Sequence, residues 1–321
     1  MRFVFIVMLL SLITPLLADE LGPIDESLLG VWKQVEPAAE TETRIELTQD
    51  SLTTVNGDKL EHRSPVIGQK DDTVVITVFC NRVDHQVALD GDRLTITMTP
   101  AKNKFRPNPE SVTTVYVREE ERPAVFDLAL LPLGAPDTAI ADERLAELRT
   151  DLQRRGELDQ EVRKPFSSPE GPTEEERNRM IEVDQDNVAF LKELIQEVGW
   201  IDAPRFGEEA SKAAWFIVQH SGDLALMKTV LPLIKEEVQE TGKNGGGYAL
   251  LYDRSQIWLG EKQRYGSQVF FGPDGMFIAP LEDPENVDER RSELSMEPLE
   301  SYMKRFVERN DGKPLPIHTE F

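Results

Sequence analysis

Apolar residues recur along this chain with two different periods, and the change of period divides it. From Leu28 to Arg118 short segments alternate apolar and polar positions, with turn residues between them. Alternation places successive side chains on opposite faces, so this stretch predicts strands with one buried face. The segments are Thr43 to Leu47, Ser51 to Val55, Val74 to Phe79, Gln86 to Leu89, Arg93 to Met98 and Val112 to Val117, with Leu28-Leu29-Gly30-Val31-Trp32 opening the module. That makes six or seven strands. Asn56-Gly57 and Asp90-Gly91 tolerate positive φ and predict antiparallel hairpins.

After residue 140 the period becomes 3.6 and the expected elements are helices, over 141–155, 173–198, 207–221, 223–241, 246–260, 286–294 and 298–308. Thr173 with Glu176 three residues on reads as a capping box, and Gly199 ends that helix as a C′ glycine does. Asp223 is placed to cap the fourth helix. Val269-Phe270-Phe271, then Gly272-Pro273-Asp274-Gly275, then Met276-Phe277-Ile278 reads as one β-hairpin inside the helical part. Between the two halves, Glu119-Glu120-Glu121-Arg122-Pro123 and Leu131 to Pro136 form a linker over 119–140, apolar enough to lie against a surface. Pro165 to Pro172 is a second break, expected as an exposed loop. The fold class is therefore α+β: a small antiparallel β domain (19–118), the linker, a mainly helical domain (141–308) and a C-terminal tail (309–321).

The Gly30-x-Trp32 element, with a closing strand that ends in Arg118, resembles the lipocalin-like domains of exported bacterial proteins, where the Trp plugs one end of a small barrel. A ligand cavity of that kind needs eight strands, so a plain antiparallel sandwich stands beside this reading.

Composition narrows the setting. Residues 1–18 run Met1-Arg2, then 15 apolar or small residues from Phe3 to Leu17, then Ala18 before Asp19-Glu20. This is the pattern of a secretory signal peptide, shorter than the roughly 20 residues of a spanning helix. An uncleaved anchor is the alternative, because Leu16 suits a cleavage site poorly. Export, to the periplasm or beyond, is the expectation. Cutting after Ala18 leaves 35 basic residues against 59 acidic, a net charge of −24. Nucleic acid and anionic lipid repel such a chain. The single cysteine, Cys80, allows no internal disulfide and sits beside an apolar strand, where a small buried side chain is the natural reading. Four histidines without a His-x-x-x-His or Cys-x-x-Cys pair give zinc no ligand set, and no cofactor is expected.

Candidate chemistry lies where helix geometry asks for apolar residues and the sequence supplies polar ones. On helix 173–198 the stripe Met180, Leu191, Leu194, Ile195 and Val198 has Asp184 and Asn187 projecting from its middle. His220 shares the inward arc of Ala210, Ala213, Phe216 and Ile217. A buried polar group without a partner costs roughly 1–3 kcal/mol, so these residues imply partners. An imidazole near a carboxylate is a common acid–base pairing; a satisfied core histidine is the plainer reading. Helix 246–260 is apolar around most of its circumference yet carries Asp253-Arg254, either a ligand clamp or an ion pair pinning helices together. Gln263, Tyr265 and Gln268 form an uncharged polar rim around Gly266 at the start of the hairpin. Asp159-Gln160-x-x-Arg163 closes the first helix, as a site or as a solvated helix end.

These elements together resemble an uncharacterised bacterial family, a domain of unknown function. The match runs through Asp159-Gln160-x-x-Arg163, Asp184-x-x-Asn187, Gly199-Trp200, Ala214-Trp215 to Gln219-His220, Leu231-Pro232, Leu250-x-x-Asp253-Arg254, Gln263-x-Tyr265-Gly266-x-Gln268 and Asp283-Pro284-x-x-Val287-x-x-Arg290-Arg291. Gly266-Ser267-Gln268 stands where that family has Gly-Thr-Gln, keeping the hydroxyl. The resemblance implies a site and no established activity.

The functional expectation is one polar pocket in the helical domain. In the first form it is a metal-independent hydrolase: His220 as general base or acid, Asp184 or Asp253 orienting it, Arg254 holding an anionic group. Asn187, Gln263, Tyr265, Gln268, Asp159 and Arg163 would contact the ligand. In the second form the same pocket binds a small polar ligand or a peptide without catalysis, and the β domain docks onto a protein partner. No Gly-x-Ser-x-Gly or reactive Cys supplies a nucleophile. A metal held by Asp184, His220 and Asp253 is the remaining alternative, as is a polar set that merely locks the helices together.

Overall fold

A computed structural model describes residues 21–38, 41–78, 81–98, 110–135, 138–168, 171–272 and 275–321. The signal segment, Cys80 and the Pro273-Asp274 turn lie outside the described residues. The chain divides into two compact units, one made of the chain up to Leu128 together with Tyr252–Phe321, the other of Ala129–Leu251. The stretch expected as one helical domain thus divides at residue 251. Among the described residues no helix is long and apolar enough to cross a membrane.

In the first unit eight antiparallel strands close into a barrel in simple sequence order. They are β1 (Gly30–Glu36), β2 (Thr43–Leu47), β3 (Ser51–Asn56), β4 (Lys59–Lys70), β5 (Thr73–Val78), β6 (Asn81–Asp90), β7 (Arg93–Met98) and β8 (Val112–Glu119). The count corrects the expectation of six or seven. The missing strand, β4, carries Pro65 and Gly68, and its pairing is bulged on both sides, so no regular alternation marks it. Closure comes from β1 against β8, with Trp32 opposite Arg118.

Trp32 is fully buried and donates from Nε1 to the Leu28 carbonyl at 2.9 Å. The Arg118 guanidinium lies 4.0 Å from the centre of its ring and donates to the Leu29 carbonyl at 2.8 Å, so the last strand holds the plug in place. Ile24, Leu28, Ile45, Leu47, Val74, Ile76, Val87 and Leu94 complete the interior. Outside it, Phe126 of the linker packs fully buried on Val31 and Val55.

His85 shares the inward face of β6 with Val83 and Val87. Burial pushes its pKa down from 6.5 to about 4, and the same cause lowers His62 to about 4. Between those pH values the unfolded chain binds a proton that the folded barrel does not, so stability falls as pH drops from 6.5 towards 4. His85 alone accounts for up to about 3 kcal/mol; His62 keeps some accessible surface and contributes less. His85→Gln should therefore show a flatter loss of stability between pH 7 and pH 4.5 in urea unfolding. Equal losses in the two proteins would refute the assignment.

Downstream in the same unit, β9 (Val269–Gly272) and β10 (Gly275–Ile278) form the expected hairpin, followed by α7 (Val287–Glu293) and α8 (Leu299–Lys304). Met276, Ile278, Leu281, Val287, Leu299 and Leu315 make their core. The segment expected as a tail is tied in: Ile278 N donates to the Pro316 carbonyl at 2.9 Å and Leu281 N to the His318 carbonyl at 2.9 Å.

The second unit is helical: α1 (Asp142–Glu161), α2 (Glu174–Val198), α3 (Ala203–Phe206), α4 (Glu208–His220), α5 (Leu224–Thr241) and the first half of α6 (Gly245–Trp258). Thr173 and Glu176 form the capping box on α2, Gly199 ends that helix at φ 78°, and Asp223 caps α5 through a 2.9 Å bond from Leu226 N. The break after α1 contains a short 3-10 turn, Lys164–Ser167. The linker is packed as expected, with Leu131 N donating to Thr229 Oγ1 and Gly134 N to the Ile195 carbonyl, both at 2.9 Å.

Candidate functional site

The polar residues read from the sequence fall into two clusters, one in each unit, and the two differ in what their polar atoms do.

The first cluster grows from the seam between α1 and α4. Arg149 bonds the Phe206 carbonyl at 2.9 Å, Gly156 faces Ala213 one heptad on, and the end of α1 faces His220 at the end of α4. The two helices therefore run side by side in one register, and that register sets which side chains meet. His220 Nδ1 lies 3.0 Å from each carboxylate oxygen of Asp159, whose side chain is only 1% exposed. Gln160 donates to Asp159 Oδ2 at 2.8 Å, while Arg163 pairs with Asp159 Oδ1 at 3.0 Å and with Asp184 Oδ1 at 2.6 Å. The carboxylate that orients His220 is thus Asp159, not Asp184 or Asp253. Within Asp159-Gln160-x-x-Arg163 the carboxylate of Asp159 is buried, whereas Gln160 is exposed and Arg163 partly so.

His220 keeps 23% of its side chain exposed, and among the described residues its Nε2 has no hydrogen-bond partner. The Phe216 ring lies parallel to it, one turn back on α4. Burial pushes the Asp184 carboxyl above its ordinary range, against the pull of Arg163, and the neighbouring Asp159 charge adds to the rise. Asn187 is buried one turn further along α2, as its place in the apolar stripe requires. Its Oδ1 accepts from Arg155 at 3.0 Å, which fixes the orientation of the amide, and Nδ2 is buried with no partner. Arg155 is a functional residue outside the sequence expectation, and its spacing of four from both Asp151 and Asp159 is the signal for it; it also bonds Asp186 at 2.6 Å and lies over the Phe190 ring.

The second cluster surrounds Asp253 on α6. Its carboxylate is fully buried and takes bonds from Arg264 N at 2.8 Å, Tyr265 N at 3.1 Å, Ser267 N at 2.9 Å and Ser267 Oγ at 2.8 Å. Burial raises its pKa while these bonds oppose the rise. Gln263, also fully buried, donates to the Gln268 and Ala279 carbonyls and accepts from Gln268 N at 2.8 Å. Arg290 and Arg291 hold the same loop from outside, through the Arg264 carbonyl at 2.9 Å and the Tyr265 carbonyl at 2.6 Å. At Gly266, φ 69° disfavours any side chain, and one there would press on the Leu299 methyl groups. The Tyr265 ring meets Tyr252 edge-on, and Gln268 reaches Ser267 Oγ at 3.3 Å. Arg254, next on the helix and half-buried, points about 100° away from Asp253. Asp253 and Gln263 spend their polar atoms almost wholly on backbone, apart from the Ser267 hydroxyl on Asp253, which makes them the scaffold of the loop.

A family model described as a family of unknown function, DUF6624, matches residues 146–313, which is more than half of the chain. The chain belongs to this family. Both clusters lie inside the DUF6624 region, whereas the barrel lies wholly before it. Comparison with curated proteins and with solved structures finds no match. Among the described residues of the DUF6624 region, as elsewhere, no group of three His, Cys, Asp or Glu side chains is placed to hold a metal ion.

What the first cluster can do chemically is move a proton. A carboxylate on Nδ1 fixes the imidazole so that Nδ1 carries the hydrogen and Nε2 presents its lone pair. The Asp184 carboxyl, its pKa raised by burial and its charge paired with Arg163, lies close enough to feel the imidazole's charge.

Proposed function

We propose that this protein is an exported acid–base hydrolase whose working group is His220. The observation that carries the reading is the pair itself: a buried Asp159 bonded to Nδ1, and a partly exposed imidazole whose Nε2 is bonded to none of the described residues. Nε2 takes a proton from water, the water oxygen bonds to the electrophilic carbon, and the bond to the leaving group breaks. The leaving atom then receives that proton back from Nε2 of the imidazolium. Proton transfer of this kind needs no metal. Export rests on the apolar run Phe3 to Leu17, and the net charge of −24 turns the protein away from nucleic acid and anionic membranes.

The second reading, a binding module for a small polar ligand or a peptide, has one observation of its own. Asn187 Nδ2 is a buried donor without an acceptor, as expected where a bound group supplies one. Any protein partner of the barrel belongs to this reading.

The test is a panel of uncharged chromogenic esters, amides and glycosides, run with the wild type and with His220→Gln. The hydrolase reading expects at least one to be turned over and His220→Gln to lose about 100-fold or more with its melting temperature nearly unchanged. A folded His220→Gln with wild-type turnover would overturn it. No turnover by either protein, with a ligand that only the wild type retains, would favour binding.

A further inference from the structure

We infer that Gly156 is the positioning residue of the His220–Asp159 pair, acting as the spacer that fixes how closely α1 approaches α4. A glycine inside a helix costs about 1 kcal/mol relative to alanine, so one in the interior of α1 calls for a reason. The reason is contact. A Cβ built on Gly156 would lie 2.6 Å from Ala213 Cβ and 3.1 Å from Ala213 Cα. Two carbons rest at about 3.6 Å, so a methyl group there pushes the helices apart by about 1 Å.

The pair sits where that separation is felt. Asp159 follows Gly156 by three residues and lies on the same face of α1; His220 follows Ala213 by seven and lies on the same face of α4. Their bond, 3.0 Å now, would stretch to about 4 Å, beyond the reach of a hydrogen bond. Arg149, one heptad before Gly156, is bonded to the Phe206 carbonyl and anchors the other end of the seam, so widening at Gly156 opens the His220 end. The inference rests on the reading of His220 and Asp159 as the working pair, but its readout is the imidazole and not turnover. The two can therefore fail separately.

The experiment is the imidazole ¹⁵N spectrum of His220 in the full chain at neutral pH, assigned with His220→Gln. The wild type shows hydrogen on Nδ1. Gly156→Ala loses that signature, and Gly156→Ala/Ala213→Gly, which returns the space on the facing helix, restores it. Ile234→Ala, a buried truncation on α5, lowers the melting temperature and leaves the signature alone. If Gly156→Ala does not fold, Ala213→Ser adds one atom at the same crossing and shows a partial loss. The inference is overturned if a folded Gly156→Ala, or Ala213→Ser in its place, keeps the wild-type signature. It is equally overturned if the double variant recovers its melting temperature without the signature, or if Ile234→Ala loses it.

Discussion

Asp253→Ala is expected to lose about 4 kcal/mol or more of stability. The carboxylate accepts from the amides of Arg264, Tyr265 and Ser267 and from the Ser267 hydroxyl. Deleting it strands several buried donors at roughly 1–3 kcal/mol each, offset by any water that enters the space left behind. Asp253→Asn is little better, because an amide NH₂ would face backbone N–H groups. The check is denaturant unfolding together with hydrogen exchange at residues 264, 265 and 267, which should lose protection first. A variant within about 1 kcal/mol of wild type, with those amides still protected, would show that Asp253 is not the clamp of the loop.

Asp159→Asn is the second large effect, and its loss should appear in turnover. The side-chain volume hardly changes, so the α1–α4 seam stays closed. The oxygen of the new amide can still accept from Nδ1, but the NH₂ can instead donate to it and turn the imidazole to the tautomer with hydrogen on Nε2. That tautomer has no lone pair at the exposed nitrogen and cannot take a proton from water. Arg163 also loses one of its two carboxylate partners. Turnover should fall by about 10²- to 10⁴-fold with the melting temperature within a few degrees of wild type. Undiminished turnover in a folded Asp159→Asn would remove the buried carboxylate from the mechanism.

In the sequence these two carboxylates look alike. Asp159 and Asp253 both interrupt apolar helical faces within the matched family region, and both are almost wholly buried. What separates them is the identity of their donors. Those of Asp253 are three backbone amides and one hydroxyl of a loop eleven to fourteen residues on, and backbone amides carry no signature in a sequence. The partners of Asp159 are side chains, Gln160 and Arg163 close by in the chain and His220 61 residues away, the last brought there by the register of α1 on α4. Periodicity places Asn187 and His220 on inner faces and locates the caps at Thr173, Gly199 and Asp223, since these are local matters. It cannot choose among Asp159, Asp184 and Asp253 as the partner of His220. In the barrel, alternation marks the strands with one apolar face, whereas Pro65, Gly68 and two bulges erase it along β4.

The central claim is that Asp159 and His220 work as one unit. Its most direct test is the double-mutant cycle on turnover per folded molecule, comparing His220→Gln, Asp159→Asn and the two together. Residues that act as a unit give a double variant no worse than the poorer single one. Losses that multiply instead, with each substitution costing the same whether or not the other is present, would contradict the account.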